Sequence, residues 1–85
     1  MSDQPRNAQV IIEVKTNMAG VPVCLVRNGR REKVNAIYEC WRLADEWWGK
    51  EVERDYFRVR TSPGTVFDIY RDATSNRWYL DRIHD

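Results

Sequence analysis

Residues 54–81 read RDYFRVRTSPGTVFDIYRDATSNRWYLD, three runs of alternating residues separated by turn formers. A three-residue loop at Ser62-Pro63-Gly64, with Gly64 in the left-handed conformation, predicts that Thr61 pairs with Thr65. Val59 then faces Phe67, Phe57 faces Ile69, Arg58 faces Asp68 and Arg54 faces Asp72. A two-residue loop would set Val59 against Asp68, a worse match. A four-residue loop over Ala73–Asn76 places Ile69 opposite Leu80 and Tyr70 opposite Tyr79. One face of this meander carries Phe57, Val59, Phe67, Ile69, Trp78 and Leu80. The other carries Tyr56, Tyr70 and Tyr79, flanked by Arg58, Asp68 and Asp81.

A second turn signal lies upstream at Asn28-Gly29. Both central residues of a type I′ turn need positive φ, which Asn and Gly tolerate. With those two residues as the loop, Arg27 pairs with Arg30, Leu25 with Glu32 and Cys24 with Lys33. The register predicts a core face of Val21, Val23, Leu25, Val34, Ala36, Tyr38 and Cys40. Cys24 and Cys40 then point to opposite faces, which argues against a disulfide between them, and both are expected to be reduced. Val10–Lys15 is a further β-branched run, and Pro22 suits a strand start or an edge. Over 34–48 a helical stripe of Val34, Ile37, Tyr38, Trp41 and Trp48 competes with the strand reading.

The expected fold is all-β and mainly antiparallel: a small roll or partly open barrel of about six strands, with one short helix in 34–48 as the competing reading. The expected strands lie near 10–15, 21–27, 31–41, 54–61, 65–72 and 77–83. Residues 1–8 are expected to be a disordered tail and 9–85 one domain. Such a small core relies on large side chains, here four tryptophans and four tyrosines.

Fourteen basic and thirteen acidic residues nearly cancel, which argues against a strongly basic nucleic-acid or membrane-surface binder. No apolar run approaches the roughly 20 residues that span a membrane, and the polar Met1–Gln9 start lacks a signal-peptide core. A cytoplasmic location is expected. Two cysteines and one histidine, His84, do not supply the ligand set of a zinc site, and no cofactor is expected.

Four groups are candidate sites. Asp45 with Glu46, or Asp68 with Asp81, could form a carboxylate pair, but Arg58 opposite Asp68 points to an ion pair, so no enzyme is expected. Trp47 and Trp48 are adjacent, so in a strand one is core and the other is free as an anchor for a protein partner. Arg30, Arg31 and Lys33, with Arg27, make the most basic local cluster and could meet phosphate. Tyr56, Tyr70 and Tyr79 beside Arg58 could stack single-stranded bases, although neighbouring acids oppose phosphate; the same row also suits plain coverage of the sheet.

The motifs Trp41-Arg42, Trp47-Trp48-Gly49, Arg54-Asp55-Tyr56, Tyr70-Arg71-Asp72, Arg77-Trp78-Tyr79-Leu80 and Asp85 carry a resemblance. This half of the chain resembles the C-terminal segment of bacterial Y-family polymerase-like mutagenesis proteins. From about residue 21, through Gly29-Arg30-Arg31 and Val34–Arg42, it also resembles short stand-alone bacterial proteins of unknown function. The resemblance implies a non-catalytic module that sometimes travels with DNA damage-tolerance machinery. It transfers no active residues. The expected function is a non-enzymatic interaction module that binds a protein partner; the alternative is an accessory domain for single-stranded or damaged DNA, linked to translesion synthesis.

Overall fold

The computed structural model describes residues 10–62 and 64–84, and for Trp47 the backbone alone. The tail expected over 1–8, Pro63 of the second loop and the exposure of Trp47 lie outside the described residues. Six antiparallel strands follow one another around a closed barrel. They are β1 (Val10–Thr16), β2 (Pro22–Arg27), β3 (Arg30–Trp47), β4 (Lys50–Thr61), β5 (Val66–Asp72) and β6 (Arg77–His84). Closure comes from β1 against β6, through Val10↔Leu80, Ile11↔Tyr79 and Ile12↔Trp78.

Three expected registers are present. Arg27 pairs with Arg30 and Leu25 with Glu32 around Asn28-Gly29, at φ values of 53° and 75°. Phe57 pairs with Ile69, and the Thr61 N–H donates to the Thr65 carbonyl at 2.9 Å. Tyr70 pairs with Tyr79. A Cβ at Gly29 would meet nothing within 4 Å, so the Gly29→Val substitution tests backbone conformation alone. It is expected to lower stability by about 1–2 kcal/mol, the cost of holding a branched residue at positive φ. Chemical denaturation measures this, and an unchanged midpoint would mean that the turn gives way at no cost.

The helical alternative over 34–48 is absent: β3 runs unbroken to Trp47, and β4 starts at Lys50 rather than near 54. The extra length forms a two-stranded arm. From Glu39 to Trp47 the β3–β4 register has no irregularity, whereas β5 reaches only to Asp72 opposite Arg54. The arm closes through Trp48-Gly49, both at positive φ, a turn that the strand boundaries expected from sequence omit.

Three of the seven residues expected on the β2–β3 core face are exposed instead. Leu25 is buried and Val34 half-buried, but Val23, Tyr38 and Cys40 are exposed, and buried Pro22 replaces Val23. The cause is a set of bulges. One at Val23 shifts the β1–β2 pairing, and two at Asn35 and Tyr38 shift β3 against β4. Each extra residue reverses the in–out alternation, so Ala36 falls opposite exposed Arg60. The two β3 bulges together return Cys40 to the face of Phe57, where it lies beyond the end of the β2 ladder and is exposed. A fourth bulge at Asp81 brings Arg82 opposite Asp68, where unbroken alternation would have put Asp81.

The core comprises Ile12, Leu25, Val59, Phe67 and Ile69, flanked by Val14, Val34, Phe57, Trp78 and Leu80. A polar plug closes one end. Arg27 reaches Glu32 at 3.3 Å, its guanidinium carbon lies 4.9 Å from the Phe67 ring centre, and the Thr61 hydroxyl donates to Glu32 at 2.9 Å. Cys24 and Cys40 are free thiols.

Candidate functional site

Among the described side chains of the arm, one stands out. Trp48 sits at its tip and is 90% exposed. Its φ of 55° belongs to the left-handed region, which bulky residues avoid. A two-residue turn of this kind favours Asn, Asp or Gly at that position. The indole therefore occupies a costly place and contributes no packing to the barrel. The arm behind it is acidic, with Asp45, Glu46, Glu51, Glu53 and Asp55 against Arg42, Lys50 and Arg54. Two of these acids are neutralised: Arg42 donates to Asp55 at 2.6 Å and to Glu53 at 3.0 Å.

The tyrosine row lies on the outer face, as its spacing predicts, and gains a fourth member. Trp41 pairs with Tyr56, Tyr56 with Tyr70 and Tyr70 with Tyr79, so the row crosses four strands. Ring centres are 5.1, 5.0 and 5.2 Å apart in sequence. The Arg54 guanidinium carbon lies 4.5 Å from the Tyr70 ring centre, and its Nη1 donates to the Tyr56 hydroxyl at 3.1 Å. Trp41 and Arg54 belong to the motifs that carry the resemblance but not to the candidate site residues read from sequence; the signal that would place Trp41 in the row is the Trp48-Gly49 turn, which sets it opposite Tyr56. Tyr70 is 1% exposed, and burial pushes its phenol up to about 12. The tyrosine faces are spent on each other and on Arg54. A base would find only Trp41, 39% exposed, and the partly covered Tyr79.

Arg58 is tied in beside this row. It donates to both Asp68 oxygens at 2.8 and 3.1 Å and to Glu39 at 3.1 Å, and it lies 5.6 Å from the Trp41 ring centre. His84 Nε2 stands 3.0 Å from Asp68 Oδ2. Burial tends to raise the Asp68 carboxyl, but the hydrogen bonds from Arg58 and the imidazole of His84 close beside it outweigh that tendency and hold the group below its ordinary value. A carboxyl depressed in the fold contributes stability that is complete above its unfolded value, about 3.9, and is lost as pH falls through the folded value. Asp68→Asn is therefore expected to flatten the loss of stability below about pH 4. Urea unfolding at a series of pH values measures the slope; an unchanged slope would remove Asp68 from the acid response.

A family model described as a domain of unknown function, DUF6504, matches residues 5–85. The chain belongs to this family. No curated protein and no solved structure matches it. The match takes in the arm as well as the barrel of this DUF6504 domain.

The remaining candidates are set apart from the aromatic row. Arg30, Arg31 and Lys33 are exposed around the β2–β3 turn, at the opposite end of β3 from Trp48. Among the described residues none of the three is ion-paired. The carboxylate pairs are not arranged for catalysis. Asp68 is held by Arg58, and Asp45 Oδ1 accepts the Glu46 N–H at 2.8 Å. The barrel mouth away from the plug holds a cleft of about 480 Å³ lined by Met18, Gly20, Asp55, Phe57, Arg71 and Trp78. Its charges are mutually satisfied, since Arg71 donates to Asp55 and to Asn76, each at 2.8 Å.

Proposed function

We propose that this DUF6504 domain is a non-enzymatic protein-binding module, with the β3–β4 arm as its docking element and Trp48 as its anchor. The observation that carries this reading is the indole itself, 90% exposed at positive φ on a ribbon beyond the barrel. Strained, exposed residues concentrate where a partner or ligand is met, and tryptophan dominates interface hot spots. The acidic arm favours a partner with a basic face over a phosphate backbone. The resemblance to the C-terminal segment of Y-family polymerase-like mutagenesis proteins suggests where the partner belongs, among bacterial cytoplasmic proteins of DNA damage tolerance.

One observation favours a second reading. Arg30, Arg31 and Lys33 form an exposed cationic tip and could hold the phosphates of single-stranded or damaged DNA. The aromatic row gives that reading little help, because Tyr56 and Tyr70 are buried. Two measurements decide. Capture from a nuclease-treated bacterial lysate should retain a protein on the wild-type domain and lose it on Trp48→Ala. Tryptophan fluorescence against short single strands should show no salt-sensitive quenching. Salt-sensitive quenching at micromolar DNA, lost on charge reversal of Arg30 and Arg31, would instead make nucleic acid the primary ligand.

A further inference from the structure

β3 changes partner along its length: it pairs with β2 over residues 30–33 and with β4 from Val34 to Trp47. Its β2 ladder ends at Cys24↔Lys33, while its β4 ladder continues to Trp47↔Lys50. From Glu39 to Trp47 the other edge of the strand therefore meets no strand among the described residues, and this stretch is free of bulges. Hairpin geometry fixes which backbone groups lie on that edge. A two-residue turn makes the flanking pair, Trp47 and Lys50, the one that exchanges both hydrogen bonds. Alternate residues from Trp47 back to Glu39 then bond to β4, and Cys40, Arg42, Ala44 and Glu46 turn their N–H and C=O groups outward. Two bonds agree with this phase. The Glu46 N–H donates to the side chain of Asp45 at 2.8 Å. The carbonyl of Glu53, which sits opposite Ala44, accepts from the Ala73 N–H at 2.9 Å, on the far side of β4 from β3. An unpaired edge of this kind is a template for another strand.

Side-chain charge selects the strand. Glu46 lies directly opposite Glu51, a like-charged cross-strand pair, and among the described residues neither is ion-paired. We infer that the free edge of β3 pairs with the same edge of a second copy of this chain, antiparallel about a two-fold axis at Ala44. That register sets Arg42 of each copy opposite Glu46 of the other, on the face that also carries Glu51. Arg42 already bonds Asp55 and Glu53 of its own chain at 2.6 and 3.0 Å, so one guanidinium is shared among three carboxylates. The smallest side chain of the segment lies at the axis. Centring on Arg42 would oppose two arginines. Centring on Leu43 would set Arg42 against Ala44 and leave Glu46 without a cation. The pairing is isologous, the commonest closed arrangement of soluble oligomers. It is independent of the role given to Trp48, which lies in the turn outside the paired segment.

Sedimentation equilibrium over a concentration series tests it. The wild-type chain is expected to approach twice its 10.2 kDa mass, and more weakly as salt is raised. Ala44→Pro removes an outward N–H that β4 does not use, so it should keep the β-rich circular-dichroism spectrum of the folded chain and abolish the dimer, its melting temperature no longer rising with protein concentration. Glu46→Lys should weaken the dimer through repulsion of Arg42. The register is read by cysteine cross-linking in a Cys24→Ser, Cys40→Ser background. Ala44→Cys should form an interchain disulfide on mild oxidation, because paired Cα atoms lie within about 4.4–6.8 Å. Glu46→Cys should not, because its two copies would stand about 14 Å apart along the strands. Trp48→Ala should leave the dimer intact, so loss of partner capture and loss of dimer are separable. A chain that stays monomeric at every concentration would overturn the inference. A dimer that persists in folded Ala44→Pro, or equal cross-linking at both positions, would overturn it as well.

Discussion

Trp48→Asn is expected to make the domain more stable and a poorer binder at the same time. Asparagine tolerates the left-handed conformation that Trp48 holds at φ 55°, so relief of backbone strain should raise stability by about 1 kcal/mol. No core contact opposes the gain, because the indole is 90% exposed. Removing an anchor of this kind typically costs about 2–4 kcal/mol of affinity, or roughly 30- to 700-fold in Kd. Denaturation of the free domain and titration of the captured partner read the two signs separately. A substitution that lowered both would show that the indole serves the fold, and the arm would lose its claim as a docking element.

Phe67→Ala is expected to lower stability by about 3–5 kcal/mol, a large part of what a domain of this size commonly has. Phe67 is fully buried between Val59 and Ile83 in register and is a member of the central cluster. It also receives the Arg27 guanidinium over its ring, beside Glu32. Truncation would leave both a cavity and a poorly housed cation. Phe67→Leu keeps most of the volume and should cost less than about 1.5 kcal/mol for packing, so any excess reports the cation–ring contact. Urea unfolding of the two variants separates the effects. A loss below about 1 kcal/mol for Phe67→Ala would mean that the barrel collapses onto the gap.

The meander was legible because its turns carry conventional residues. Asn28-Gly29 and the loop ending in Gly64 each fix a register, and the alternating Phe57, Val59, Phe67 and Ile69 then fall on one face. The arm was hidden for the opposite reason. A tryptophan at positive φ is no turn signal, so the ladder from Cys40↔Phe57 to Trp47↔Lys50 had nothing to announce it. The apparent helix in β3 also has a cause. Bulges at Asn35 and Tyr38 leave Val34, Ile37 and Cys40 as the residues opposite Thr61, Val59 and Phe57. The bulge at Asn35 thus turns a spacing of two into the spacing of three between Val34 and Ile37, and the bulge at Tyr38 adds an apolar residue beside Ile37, which together imitate the start of a helical stripe. At the site, the adjacency of Trp47 and Trp48 pointed to an exposed indole and Tyr56, Tyr70 and Tyr79 to an outer row. The addition of Trp41 to that row needed the unrecognised turn. The enclosure of Tyr70 by Arg54 depends on side-chain placement that no local pattern encodes.

Every strand of the barrel pairs with its neighbour in sequence except at one seam, where the first strand meets the last. Hairpins between successive strands close short loops, whereas the β1–β6 contact must bring together segments about seventy residues apart at higher entropic cost. The assembly order implied is a growing ribbon that closes on itself last. Among the described residues the same seam is held by three pairs, Val10↔Leu80, Ile11↔Tyr79 and Ile12↔Trp78, of which Val10 and Ile11 are exposed. Partial opening of the native state should therefore begin there, with amide protons of β1 exchanging before those of β5, so that the barrel breathes as a curled sheet whose first strand comes away while its centre stays shut.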